Sequence, residues 1–143
     1  MARLARAHNS RVHRLVTSPP DGQSPPSDTP GETTTTLTAD ARFYPIWAGE
    51  LVGDYSFWFD VGAGLTGTFS IQGTNVPNPE LTTDADWTTL SPTVNGAALA
   101  YAGAAGNTLA YGFDVMVEWI RLKFTFTGGS GTFRGFARVD DNR

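Results

Sequence analysis

The chain contains no cysteine and two histidines, His8 and His13, both near its start. Without cysteine there is neither a disulfide frame nor a thiolate site for zinc or iron–sulfur, so hydrophobic burial has to hold any core alone. Without a histidine in the remainder of the chain, no Ser-His-Asp or Cys-His arrangement can be set on a rigid scaffold there. A carboxylate pair of the glycosidase kind needs two acids that converge in space, which spacing along a chain does not display. A non-enzymatic role without a cofactor is therefore expected. Long apolar runs are missing too: none approaches the roughly 18 residues of a membrane-spanning helix, and the N-terminus lacks the apolar stretch of a secretory signal. These absences predict a soluble protein, not exported by that route and with no membrane partner.

Basic side chains are scarce outside the first segment. Residues 1–16 hold Arg3, Arg6, Arg11 and Arg14 and no acid, whereas the remainder holds 6 basic and 14 acidic side chains. A short basic arm on an acidic body favours contact with an acidic surface. Four arginines could neutralise phosphates, but the acidic body opposes a nucleic-acid partner. The steps between Leu4, His8, Arg11 and Leu15 allow one or two helical turns with a thin apolar stripe, too short to be stable alone. A frayed terminus and the Arg-rich, acid-poor composition of an organelle transit peptide are the competing readings.

Residues 17–39, TSPPDGQSPPSDTPGETTTTLTA, carry Pro19, Pro20, Pro25, Pro26 and Pro30 and almost no large apolar side chain. Such a stretch buries too little to offset its ordering entropy, and proline biases it to extended polyproline II. It reads as a linker, able to span about 70 Å when extended at ~3.1 Å per residue, and thus suited to reaching a neighbour. Three parts follow: a basic arm (1–16), a linker (17–39) and a folded domain (40–143).

In the third part the pattern changes to period two with glycine punctuation. Tyr55, Phe57, Phe59 and Val61 alternate with Ser56, Trp58 and Asp60, and Phe69 and Ile71 alternate with Thr68, Ser70 and Gln72. These are half-buried antiparallel strands, and the 16 glycines and 9 prolines spread among them predict an all-β fold, an antiparallel β-sandwich of jelly-roll type. The segment EWIRLKFTFTGGSGTFRGFARVD suggests a hairpin closed by Gly128 to Gly131. Its apolar face would pair Phe126 with Phe133, Phe124 with Gly135, Leu122 with Ala137 and Ile120 with Val139. Its other face would pair Thr125 with Arg134, Lys123 with Phe136 and Arg121 with Arg138. Like charges set opposite each other destabilise a sheet, so that face is either solvated or matched to a partner's acids. Because Trp119 and Phe136 share it, Trp119, Arg121, Lys123, Arg134, Phe136 and Arg138 join the four arm arginines as candidate partner-binding residues.

Other motifs reduce to simpler readings. Gly62-Ala63-Gly64-Leu65-Thr66-Gly67 matches a dinucleotide fingerprint, but a strand follows it where a helix N-terminus is needed, so it reads as a hairpin turn. Glu80, Asp84 and Asp86 lack the order of an EF-hand loop and read as solvated acids. Trp47, Trp58, Trp87 and Trp119 are possible stacking platforms for a glycan, though tryptophans in a small sandwich usually serve the core. The loop from Gly73 to Leu90 reads as a strand connection stiffened by Pro77 and Pro79, with Trp87 and Leu90 returning to the core.

GTFSIQGTN, then DWTTL, then EWIRLKFTFTGGSGTFRGFARV resembles the small β-sandwich virion proteins of tailed bacteriophages, over roughly residues 65–140. The resemblance implies a capsid decoration or cement protein that binds the major capsid protein and forms homo-oligomers in the virion. Its location would be the capsid surface, and the host cytoplasm before assembly. A tail- or fibre-associated module that binds a host glycan is the alternative. The arm and linker lie outside the matched region but look like the arms that tie virion subunits together.

Overall fold

The computed structural model describes residues 11–15, 35–48, 53–96, 100–103 and 105–141. Among them every regular element is a strand: β1 (Arg11–Arg14), β2 (Thr35–Leu37), β3 (Ala41–Arg42), β4 (Ile46–Trp47), β5 (Gly53–Val61), β6 (Leu65–Thr74), β7 (Thr88–Thr89), β8 (Thr93–Gly96), β9 (Ala100–Ala102), β10 (Gly106–Val115), β11 (Trp119–Gly129) and β12 (Gly131–Asp141). In sheet I the order is β1, β12, β5, β10, β8, with β2 on the same edge of β12 as β1. In sheet II it is β3, β11, β6, β7, with β4 also on β11 and β9 also on β6.

Short strands that share one edge of one partner act as a single interrupted strand. Counted so, nine positions remain; with β8, the added strand outside β10, set aside, the other eight read in chain order 1-8-3-6 and 2-7-4-5. Two interlocked Greek keys of this order are a jelly roll, so the antiparallel sandwich expected from the patterning is the fold.

The alternation sets which side chains meet between the sheets. Tyr55, Phe57, Phe59 and Val61 of β5 face inward and are buried, as are Phe69 and Ile71 of β6. Phe69 sits at the centre, its ring centroid 4.7 Å from Phe59, 4.7 Å from Phe124 and 5.6 Å from Phe133. Aromatic rings at these separations contribute beyond the area they bury.

Three expectations change. Residues 119–141 do not form a hairpin: β11 pairs with β6, β3 and β4, while β12 pairs with β5, β1 and β2, so the chain crosses from one sheet to the other at Gly129 to Gly131. Inward alternation is the same for a hairpin and for a crossing, because either way the phenylalanines face one core. The Gly62–Gly67 motif likewise joins β5 in sheet I to β6 in sheet II and is a crossing between sheets, with Gly64 at φ 101°. Finally, Arg11–Arg14 is a strand and not a helical turn, and the folded unit reaches into both the arm and the linker. Leu15 and Leu37 are 5% and 3% exposed and belong to the core. Strand pairing with β12 satisfies the backbone groups that an isolated helical turn would leave to water.

Candidate functional site on the outer faces of the sandwich

The outer face of sheet II carries Arg121, which alternation points away from the core, yet its side chain is 0% exposed. The loop between β6 and β7 folds over it. Its Nε donates to Gln72 Oε1 (2.8 Å), Nη1 to the Leu81 carbonyl (3.1 Å), and Nη2 to the Thr83 carbonyl (2.9 Å) and Asp84 Oδ1 (3.1 Å). The guanidinium carbon lies 4.0 Å from the centroid of the Trp87 ring. A planar fork with several fixed donors satisfies two carbonyls, an amide and a carboxylate at once, which an ammonium does less well. Burial pulls the Arg121 pKa down to about 10; the Asp84 charge opposes this shift and the Arg42 charge adds to it, and the group stays a cation at neutral pH.

Asp84 gathers two more cations, accepting from Arg42 Nε at 3.0 Å and from Lys123 Nζ. Partial burial alone would raise its pKa, but the hydrogen bonds and charges of Arg42 and Lys123 outweigh that and hold it well below the usual carboxylate range. The folded state therefore takes up the Asp84 proton less readily than the unfolded chain. Its stabilising contribution is present in full above the ordinary value of 3.8 and declines as the pH falls below it. Melts between pH 7 and pH 2.5 should show stability falling with acid, and Asp84→Asn should flatten that fall. The effect is modest because the Asp84 side chain is 37% exposed and solvent screens the pairs.

The loop's other acids are used locally. Glu80 Oε1 accepts from the amides of Leu81 and Thr82 and from the Thr82 hydroxyl, and Asp86 Oδ2 accepts from the Glu80 amide. Trp87 donates its indole N–H to the Glu80 carbonyl at 2.7 Å. Trp87 is buried, but beneath this loop and against Arg121, outside the main core, whereas Leu90 does pack on the core. Among the described residues no group of three or more His, Asp or Glu side chains is placed to hold a metal ion. An open groove of about 400 Å³ is lined by Thr35 to Arg42 with Leu81 and Thr82.

The outer face of sheet I is built differently. Register places Trp58 between Phe136 and Leu109, Asp60 between Arg134 and Asn107, and Ser56 between Arg138 and Tyr111. Trp58 stacks on Phe136 with centroids 6.3 Å apart, and the Arg134 guanidinium lies 5.2 Å from the Trp58 centroid and 5.8 Å from that of Phe136. Tyr111 meets Phe113 edge-on at 5.5 Å, and Phe113 is 65% exposed. Arg138 pairs with Asp140 at 3.4 Å.

The residues singled out from sequence are thus divided. Arg134, Phe136 and Arg138 share the outer face of sheet I, whereas Trp119, Arg121 and Lys123 lie on sheet II, so the expected opposition of Arg121 and Arg138 does not arise. Arg121 is consumed by the chain's own loop and Lys123 by Asp84, which removes Arg121 from any accessible patch. Trp119 pairs with Thr74 and the exposed Trp47, and its buried indole N–H meets no acceptor among the described residues. Arg11 and Arg14 stand on β1, opposite Val139 and Phe136, and His13 opposite Ala137. Arg3 and Arg6 lie outside the described residues. Sequence reasoning missed Gln72 and Asp84 as partners of Arg121, missed Arg42 as a partner of Asp84, and missed Trp58 beside Phe136. The one local sign of the latter was that Trp58 occupies the polar phase of its strand. Comparison with known proteins found no matching family model, no matching curated protein and no matching solved structure.

Proposed function

We propose that this protein is a non-enzymatic structural component of a bacteriophage virion, a decoration or cement protein that stabilises the shell by binding the major capsid protein and neighbouring copies of itself. The observation that carries the reading is the outer face of sheet I. Trp58, Phe136, Leu109 and Tyr111 form a band across three adjacent strands, with Arg134 beside it. Aromatic residues with arginine are the composition of protein-binding hot spots. The basic arm supplies a second, charge-dependent contact.

The test is co-sedimentation of full-length protein with purified capsid shells at two salt concentrations. Beginning the chain at Thr38 would remove Leu15 and Leu37 from the core, so substitutions are preferable to truncation. Trp58→Ala with Phe136→Ala should weaken binding at least about tenfold, equivalent to roughly 1.4 kcal/mol. Replacing Arg3, Arg6, Arg11 and Arg14 with glutamine should remove the salt-sensitive part. Unchanged binding in both variants, or none by the parent protein, counts against the proposal.

One observation favours a second reading, the tail-associated glycan binder: the Trp58 and Phe136 stack lies beside the row of Asp60 and Asn107, and sugars use an aromatic platform next to polar groups. Binding to immobilised host glycans that is lost in Trp58→Ala would support it.

A further inference from the structure

β1 and β2 occupy the same edge of β12 and run in the same direction. Arg14 stands opposite Phe136, and the Leu15 amide donates to the Gly135 carbonyl at 2.8 Å, while Thr35 stands opposite Phe133. In register a single position, opposite Arg134, lies between them. β1, Leu15 and β2 are therefore one antiparallel strand in continuous register, interrupted by residues 16–34, a stretch of 19 residues where one would suffice. Leu15 fills a core place that depends on Gly135: a Cβ built on Gly135 would come 2.9 Å from Leu15 Cδ1. The edge of β12 is thus shaped to take the segment 11–15.

From this register we infer that the arm is exchanged: Arg11–Leu15 of one copy completes the edge of β12 in a second copy. The backbone pairing of the segment and the Leu15 amide bond lie on β12, and Leu15 is buried in the core, so a neighbour's β12 offers the same pairing and the same place for Leu15. Exchange of an identical element between copies needs no new interface. The intervening residues favour it. Five prolines among 19 residues are a composition that favours extension, to about 60 Å at ~3.1 Å per residue, whereas pairing within one chain requires the two ends to meet across a single strand position. Once copies are held side by side, the high effective concentration of a neighbour's arm shifts the pairing toward exchange. The inference rests on the part of the proposed function that joins neighbouring copies, and it names the receiving site.

The absence of cysteine gives a clean background for disulfide trapping. Val12 and Arg138 are direct partners in a non-hydrogen-bonded pair, the geometry in which Cα atoms approach closest. Full-length Val12→Cys and full-length Arg138→Cys are mixed at high concentration, refolded together and oxidised without capsid shells. A disulfide joining the two different variants is expected, along with dimers or larger species in light scattering. A second variant removes 18 of the 19 spacer residues, which makes the strand continuous. It should keep the parent's melting behaviour and should lose the joined product when carrying the same two single substitutions. Failure of the two variants to join, with the Val12→Cys, Arg138→Cys double variant closing an internal disulfide as a monomer, would overturn the inference. So would cross-linking that persists in the shortened chain. Because no shell is present, these results are separable from failure of the capsid reading.

Discussion

Arg121→Ala is expected to lower stability by about 3–5 kcal/mol, the range for removing one member of a buried charged network. The cost exceeds that of a surface arginine because the side chain is 0% exposed and its partners have no substitute. Gln72 Oε1 and the carbonyls of Leu81 and Thr83 would lose a charged donor, and Trp87 would lose the cation on its ring. Arg121→Lys keeps the charge but not the planar fork, so it should recover part of the loss. Urea unfolding measures the size of the effect. Limited digestion with thermolysin measures its place, because release of the loop exposes the bond before Leu81 while the two sheets stay paired. A double-mutant cycle with Asp84→Asn should give a coupling energy well below the Arg121→Ala effect, since three of the four hydrogen bonds go elsewhere. Equal sensitivity of Arg121→Ala and parent to urea would refute the role given to Arg121 in holding the loop between β6 and β7.

Gly129→Ala is expected to be at least as damaging, by a different mechanism. Gly129 has φ 74°, a left-handed conformation that costs an L-residue about 1–2 kcal/mol. A Cβ there would also fall 1.9 Å from the Gly64 carbonyl oxygen, an overlap with backbone that no rotamer change can relieve. The two crossings between sheets meet at this point. The Gly62 amide donates to Thr132, the Gly64 amide to Gly103 and the Gly103 amide to Leu65, at 2.8, 2.8 and 2.9 Å. Pushing one crossing outward strains all three bonds, so the total should exceed about 3 kcal/mol, whereas Ser130→Ala, exposed at the same tip, should stay within about 0.5 kcal/mol. Thermal or urea unfolding of the two variants against the parent protein decides it. Near-identical midpoints would mean that this end of the sandwich relaxes freely.

Both predictions rest on contacts between residues far apart in the chain, and there local patterning ceases to inform. Alternation along 54–61 and 68–72 named the buried side chains of β5 and β6, because inward and outward positions follow from the pleat whatever the strand pairs with. Alternation along 119–141 named the buried side chains of β11 and β12 equally well and still suggested the wrong neighbours. Phe124 and Phe133 face the same core in a hairpin and in a crossing, and only closure of β11 on β6 and of β12 on β5 separates the two. The linker showed the same limit: proline content described residues 17–39 as a spacer, but could not reveal that Leu37 within it and Leu15 before it both belong to the core, on strands that share one edge of β12. Arg121 is the sharpest case. Its outward phase reads as solvent exposure, and its burial comes from Leu81, Thr83, Asp84 and Trp87, 34 or more residues away. Legible in the order of residues were the all-β class, a basic first stretch, a proline-rich composition after it and the inward phase of each long strand, since these depend on neighbours one or two residues apart. Strand partners, the covered arginine and the aromatic face of sheet I were decided by tertiary structure alone, because each requires two surfaces to meet that the order of residues does not bring together.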